Sequence, residues 1–320
     1  TVRNFKNKPT AVCIIGPTGS GKSALALNLA LHLDLEIISV DSAQIYRGLD
    51  VGTAKPSSEE QRLVKHHLID IIDPTEHYSA AEFCRDATRQ IIEISSQGKL
   101  PLLVGGTMLY FKSLRDGISN LPDRDETIRA ELERDALEIG WPKVHEKLSR
   151  VDPQSASRIN PNDSQRIQRA LEVFRLTGRS LTELFEEHID AERPFDLIDI
   201  ALIPNDRSKL HKSIQNRFEK MLEMGFVEEV RKLRETWPLN KQLPAMRSVG
   251  YRQSWEFLDG EIDEKELLAK GVAATRQLAK RQITWLRKLE PNNIIDPFSH
   301  HLAGITKEII EKLKPTEWNA

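Results

Sequence analysis

The chain has 320 residues, 39% hydrophobic and 29% charged, the balance of a soluble globular protein of one large or two modest domains. Its formal net charge of -2 excludes a uniformly basic polyanion binder, so any nucleic-acid site must be a local patch. Two cysteines, Cys13 and Cys84, with no CxxC pair, argue against a zinc module or a disulfide framework and fit a reducing cytoplasm. No apolar run approaches the roughly 20 residues that cross a bilayer. The opening Thr1-Val2-Arg3-Asn4-Phe5-Lys6 has no signal-peptide core, and the missing initiator methionine suggests a trimmed start.

In chain order, Val12-Cys13-Ile14-Ile15 is a continuous apolar run and predicts a buried parallel strand. Residues 24–30 predict a helix of strong formers. Further strands are expected at 36–40, 68–72 and 101–104, with a helix over 80–95. This alternation predicts an α/β fold, a parallel sheet flanked by helices. Residues 125–187 are charged and helical in pattern, broken at Gly140, Pro153, Pro161 and Gly178. A strand returns at Ala201-Leu202-Ile203. The expected organisation is a discontinuous core, 1–114 and 199–320, with an all-helical insertion at 115–198. Leu210, Ile214, Phe218, Leu222 and Phe226 recur every four residues and predict an amphipathic helix. Residues 261–290 predict another, stopped at Pro291.

Gly16-Pro17-Thr18-Gly19-Ser20-Gly21-Lys22-Ser23 fits GxxxxGK[ST] between a predicted strand and a predicted helix, the context of a P-loop. Its glycines permit conformations that a Cβ would oppose. Its N–H groups form an anion nest at a helix N-terminus. Lys22 adds a full charge, and Ser23 is placed to ligate Mg²⁺. The loop alone does not name the phosphate compound, and a kinase or ATPase fits it as well.

The block Val40-Asp41-Ser42-Ala43-Gln44-Ile45-Tyr46-Arg47-Gly48-Leu49-Asp50-Val51-Gly52-Thr53-Ala54-Lys55-Pro56 resembles a signature of the tRNA dimethylallyltransferases, the IPP transferase family. So do Gly105-Gly106-Thr107-Met108-Leu109-Tyr110, Asn162-Asp163-Ser164-Gln165-Arg166, Arg247-Ser248-Val249-Gly250-Tyr251-Arg252 and residues 275–287, in family order. The absence of a C-terminal CxxC…H module favours the bacterial type. The resemblance implies a P-loop NTPase-like core. It also implies transfer of a dimethylallyl group from dimethylallyl diphosphate to N6 of the adenosine 3′ of the anticodon, in tRNAs reading codons that start with U, with release of pyrophosphate. Asp41 matches the family's general base; a magnesium-linked aspartate is the other reading. Thr18 and Lys22 would hold the leaving group. Thr107 matches a tRNA contact, with a helix N-cap as the alternative. Arg217 matches a diphosphate contact; the alternative is a solvated helix arginine.

The resemblance places Asp41, Ser42, Ala43, Gln44, Thr107, Arg129, Gln165, Arg166, Arg169, Arg247, Gly250, Arg252, Arg276, Lys280, Arg281 and Arg287 against tRNA. Arg276, Lys280 and Arg287, spaced by four and seven, share a helix face. Leu278, Gln282, Trp285 and Leu289 share another. Basic residues so arranged would track a phosphate backbone. His66 and His67 have no companions at metal spacing and read as structural. The expected partners are tRNA and dimethylallyl diphosphate, the expected cofactor is Mg²⁺, and the protein is expected to be a cytoplasmic monomer. The competing functions are an adenylate isopentenyltransferase, a P-loop kinase or ATPase, and a non-catalytic RNA binder.

Overall fold

In a computed structural model, residues 8–117, 121–186 and 193–313 are described. The readings of the first six residues, of Glu187 and of the extreme tail fall outside them. A six-stranded, wholly parallel sheet comprises β1 (Thr10–Ile15), β2 (Leu35–Val40), β3 (His66–His67), β4 (Leu100–Gly105), β5 (Asp196–Leu202) and β6 (Asn293–Ile295), in the order β3-β2-β4-β1-β5-β6. The helices within and beside the first strands are α1 (Lys22–Ala30), α2 (Ser58–Leu63), α3 (Ala80–Ser96) and α4 (Met108–Asp116). Five more follow: α5 (Glu126–Ile139), α6 (Trp141–Val151), α7 (Pro153–Arg158), α8 (Ser164–Thr177) and α9 (Leu181–Glu186). After β5 come α10 (Arg207–Glu223), α11 (Phe226–Thr236), α12 (Pro244–Arg247), α13 (Tyr251–Leu258), α14 (Glu264–Lys288) and α15 (Leu302–Leu313). The chain divides into two compact units, 1–112 with 194–320, and 113–193.

The central strands are apolar on both faces because helices cover both. Val12, Ile14, Ile37, Leu102 and Ile200 pack with Leu25 and Leu29 of α1 and with Ile305 and Ile309 of α15. Glu36 is the one charged residue buried in β2. His67 Nε2 at 2.6 Å and Lys99 Nζ at 2.8 Å flank its carboxylate. Burial alone would raise its pKa, but the hydrogen bonds from Lys99 and His67 hold it below the usual carboxylate range. His67 is thus structural. Cys13 lies in β1 and Cys84 in α3; both are buried and neither is in a disulfide, and burial pushes the Cys84 thiol up to about 12.

Two expectations are corrected. The strand expected over 68–72 is confined to His66–His67, because Leu68 (φ 61°) and Asp70 (φ 52°) turn the chain into the left-handed region. Ile72 then makes only an isolated bridge to Tyr46. The four-residue period through Phe226 is split between two helices. Gly225, at φ 89°, separates α10 from α11, and Met221 takes the buried position instead of Leu222. Phe226 nonetheless joins the same core as Leu210, Ile214 and Phe218.

The 113–193 unit has its own core of Leu132, Val144, Leu148, Ile167 and Val173. Glu172 of α8 is fully buried there. Arg129 of α5 donates to it through Nε at 2.7 Å and Nη2 at 2.9 Å, and Arg169 donates through Nη1 at 2.7 Å. Burial works against the charged form, and the Arg129 and Arg169 bonds outweigh it, holding the carboxyl below its usual range.

Candidate active site

Parallel strands present their loops at one end of the sheet, and ligands bind in that crevice. The P-loop leaves β1, the Asp41 loop leaves β2, and the Gly105–Thr107 segment leaves β4. Val40 and Gly105 are register partners, so the second and third loops start side by side. A Cβ on Gly105 would lie 2.0 Å from the Val40 carbonyl oxygen. Glycine is therefore required for this close strand approach.

The P-loop has its expected form. Gly19 (φ 81°) and Gly21 (φ 79°) are left-handed, and Lys22 opens α1. Ser20 Oγ donates to the Pro17 carbonyl oxygen at 2.8 Å, and Lys22 Nζ donates to the same oxygen at 2.7 Å. Burial, then the nearby Arg217 cation, lowers the Lys22 pKa to about 7, against the opposing pull of Asp41. Arg217, on α10, is also lowered by burial and supported by Asp41, and its Nη2 donates to the Thr53 carbonyl oxygen at 3.4 Å. Two cations thus stand in a desolvated place within the influence of one carboxylate, a field that favours a polyanion.

Asp41 Oδ1 accepts from the backbone N–H groups of Ala43 at 2.8 Å and Gln44 at 3.3 Å. No hydrogen bond to Oδ2 is formed among the described residues. The Thr107 hydroxyl accepts from the Ser42 N–H at 3.0 Å, so it ties the β4 loop to the Asp41 loop. The Gln44 side chain is held by Ser39 Oγ at 2.9 Å and by the Thr53 carbonyl oxygen at 3.2 Å.

These groups line one cleft of ≈ 1540 Å³. Single small-ligand pockets typically run to about 1,000 Å³, so this cleft has room for two reactants. Thr18, Lys22, Ser23, Asp41, Ser42, Ala43, Gln44, Thr107, Arg217, Arg247 and Arg281 all reach it. Gly16, Pro17 and Ser20 shape the loop from behind. Gly250 is buried at positive φ (89°), Arg252 pairs with Glu256 at 3.2 Å, and Arg276 donates to Gln215 at 3.4 Å. Lys280, Arg281 and Arg287 stand exposed on α14, and Gln165 and Arg166 are exposed on α8. Arg129 and Arg169, both partly exposed, hold Glu172.

The IPP transferase family model matches residues 44–289. A tRNA dimethylallyltransferase of Janthinobacterium sp. (strain Marseille) is 54% identical, covering 95% of this chain and 97% of its own. The chain belongs to the IPP transferase family. A second tRNA dimethylallyltransferase, from Paraburkholderia xenovorans (strain LB400), is 52% identical over 95% of this chain and 98% of the relative. The crystal structure of a full-length tRNA isopentenylpyrophosphate transferase from Bacillus halodurans matches with TM-score 0.68 at 38% identity, covering 96% and 98% of the two chains. A eukaryotic dimethylallyltransferase acting on tRNA matches with TM-score 0.78 at 26% identity, covering 96% of this chain and 79% of its own. The core of this IPP transferase is accordingly P-loop NTPase-like.

One residue escaped the sequence reading. Gln282, on the otherwise apolar face of α14, accepts from the Thr18 N–H at 2.9 Å and donates to the Gly106 carbonyl oxygen at 2.8 Å. The signal was an amide set among Leu278, Trp285 and Leu289 on that face.

The residues present fit a magnesium ion of limited protein ligation. Ser23 is exposed at the cleft end of α1, and no cluster of three metal-ligating residues exists among the described residues. That donor set suits an ion held largely by diphosphate oxygens and water, the habit of Mg²⁺.

Proposed function

We propose that this chain is a tRNA dimethylallyltransferase. It moves the dimethylallyl group of dimethylallyl diphosphate to N6 of the adenosine 3′ of the anticodon, in tRNAs reading codons that begin with U. The observation that carries this reading is that Lys22, Arg217 and Asp41 line one cleft, close enough for the Asp41 carboxylate to act on both cations. The diphosphate lies in the P-loop against Lys22, Thr18 and Arg217. Ser23 would hold Mg²⁺, which when bound neutralises the charge that grows on the departing pyrophosphate.

The adenosine leaves its stack to enter the cleft, since the reacting amine must come within bonding distance of the prenyl carbon. Its N6 lone pair forms the C–N bond. The C–O bond breaks, and its electrons depart with the pyrophosphate. The surplus N6 proton passes to Asp41 Oδ2, because Oδ1 is already committed to the Ala43 and Gln44 N–H groups. Lys22 and Arg217 stabilise charge that is largest in the transition state. The remaining tRNA contacts are assigned to Thr107, Arg247 and Arg281 in the cleft, to Lys280 and Arg287 on α14 and, on the insertion by itself, to Gln165 and Arg166, which would meet the anticodon arm.

The test mixes the protein with Mg²⁺, labelled dimethylallyl diphosphate and either unmodified tRNA or AMP. Label in tRNA is expected. Label in AMP alone would reassign the protein to free adenylates, and ATP hydrolysis without prenyl transfer would sink the reading.

A further inference from the structure

Gln282 is the only α14 side chain with a recorded hydrogen bond to the P-loop among the described residues. It sits in the C-terminal third of α14, between Ile283 and Ala279, which are buried in the core. The helix beneath the amide is therefore fixed. The Thr18 N–H can only donate and the Gly106 carbonyl can only accept, so the amide has one orientation. Oε1 meets the first at 2.9 Å and Nε2 the second at 2.8 Å. A Cβ on Gly106 would stand 2.4 Å from Nε2 and 3.0 Å from the Gly16 carbonyl oxygen. The third loop must therefore be bare where the amide docks.

The next residue, Thr107, accepts from the Ser42 N–H beside Asp41. One side chain thus joins the loop that holds the diphosphate to the loop system that holds the proton acceptor. We infer that Gln282 is a positioning residue that sets the diphosphate's place relative to Asp41. This rests on the proposed prenyl transfer. A carboxylate at 282 would lose the donor, and an aliphatic side chain would lose both bonds and leave the Gly106 carbonyl and Thr18 N–H unmatched.

The experiment compares wild type with Gln282→Met, which keeps the length of the side chain, and Gln282→Ala, which adds no strain. Initial rates are measured while dimethylallyl diphosphate and tRNA are varied separately, alongside tRNA binding and a melting curve. The expected result is a fall of about 10²-fold in kcat/KM for the diphosphate, carried by both kcat and KM, with the tRNA dissociation constant unchanged. Loss of tRNA affinity with normal diphosphate constants would mean a plain RNA contact and overturn the inference. A lowered melting temperature with normal kinetic constants would make Gln282 a packing residue and also overturn it. If one variant does not fold, the other is read by the same criteria. A wild type that labels no tRNA would instead defeat the proposed function, so the two failures are separable.

Discussion

Lys22 Nζ donates to the Pro17 carbonyl oxygen at 2.7 Å, inside its own loop. The ammonium is thus satisfied locally while burial and Arg217 bring its pKa from 10.5 to about 7. The unfolded chain holds one proton more than the folded one between these two values, so this group makes stability rise with pH across that window. Below about pH 7 both states are protonated and the cost of the buried charge is fully present. Lys22→Met is expected to be more stable than wild type at about pH 6 and to lose that advantage by about pH 10. Urea denaturation at the two values checks this; an advantage independent of pH would contradict it. The same variant should bind pyrophosphate more weakly.

Asp41→Asn keeps an oxygen for the Ala43 and Gln44 N–H groups, so the loop is expected to keep its shape. The lost function is proton acceptance, worth about 10²–10⁴-fold in rate. Single-turnover transfer with pre-bound tRNA measures it, and near-normal turnover would remove Asp41 from the base role.

The exposed α14 cations act differently from the Glu172-bound arginines of the insertion. Replacing Lys280, Arg281 or Arg287 by alanine should weaken tRNA binding and reduce the slope of log K against log salt by roughly 0.7–0.9 per lost phosphate contact. An unchanged slope in all three variants would move the RNA path off this helix.

Arg129→Ala takes away the bidentate partner of the buried Glu172, leaving Arg169 as its guanidinium. The insertion should lose up to about 3 kcal/mol, seen as an earlier transition in chemical denaturation. Arg166→Ala, at the exposed start of α8, should leave stability unchanged.

Gly105→Ala places a Cβ 2.0 Å from the Val40 carbonyl oxygen. The carbonyl belongs to the β2 backbone and the Cβ is rigidly attached to the β4 backbone, so relief requires the β2–β4 pair to part. A loss of about 1–3 kcal/mol is expected, and thermal unfolding reports it directly.

Much of this arrangement was legible in the sequence, for identifiable reasons. Val12-Cys13-Ile14-Ile15 and residues 101–104 are apolar throughout because both sheet faces are covered, a pattern that needs no partner to be read. The P-loop was legible because its glycines and lysine serve the local backbone. Residues 68–72 misled because Leu68 and Asp70 adopt positive φ without being glycine. That conformation is enforced by surroundings, among them the Lys55 ammonium at 2.5 Å from Asp70, which no local pattern encodes. Arg129 and Arg169 could not be told from exposed arginines, since their common partner Glu172 lies 43 residues from the first. Gln282 escaped for the same reason: its partners, at 264 and 176 residues' separation, are brought to it only by the closed fold.

The burial of Cys13 and Cys84 has a chemical corollary. Thiolates are the reactive form, and a thiol pushed up to about 12 at Cys84 is almost wholly protonated at neutral pH. The native fold is therefore close to inert toward alkylating reagents. A cysteine introduced at an exposed site such as Lys280→Cys would carry the single reactive sulfur, and a fluorophore there would respond to the arrival of RNA on α14 without any background from the protein's own thiols.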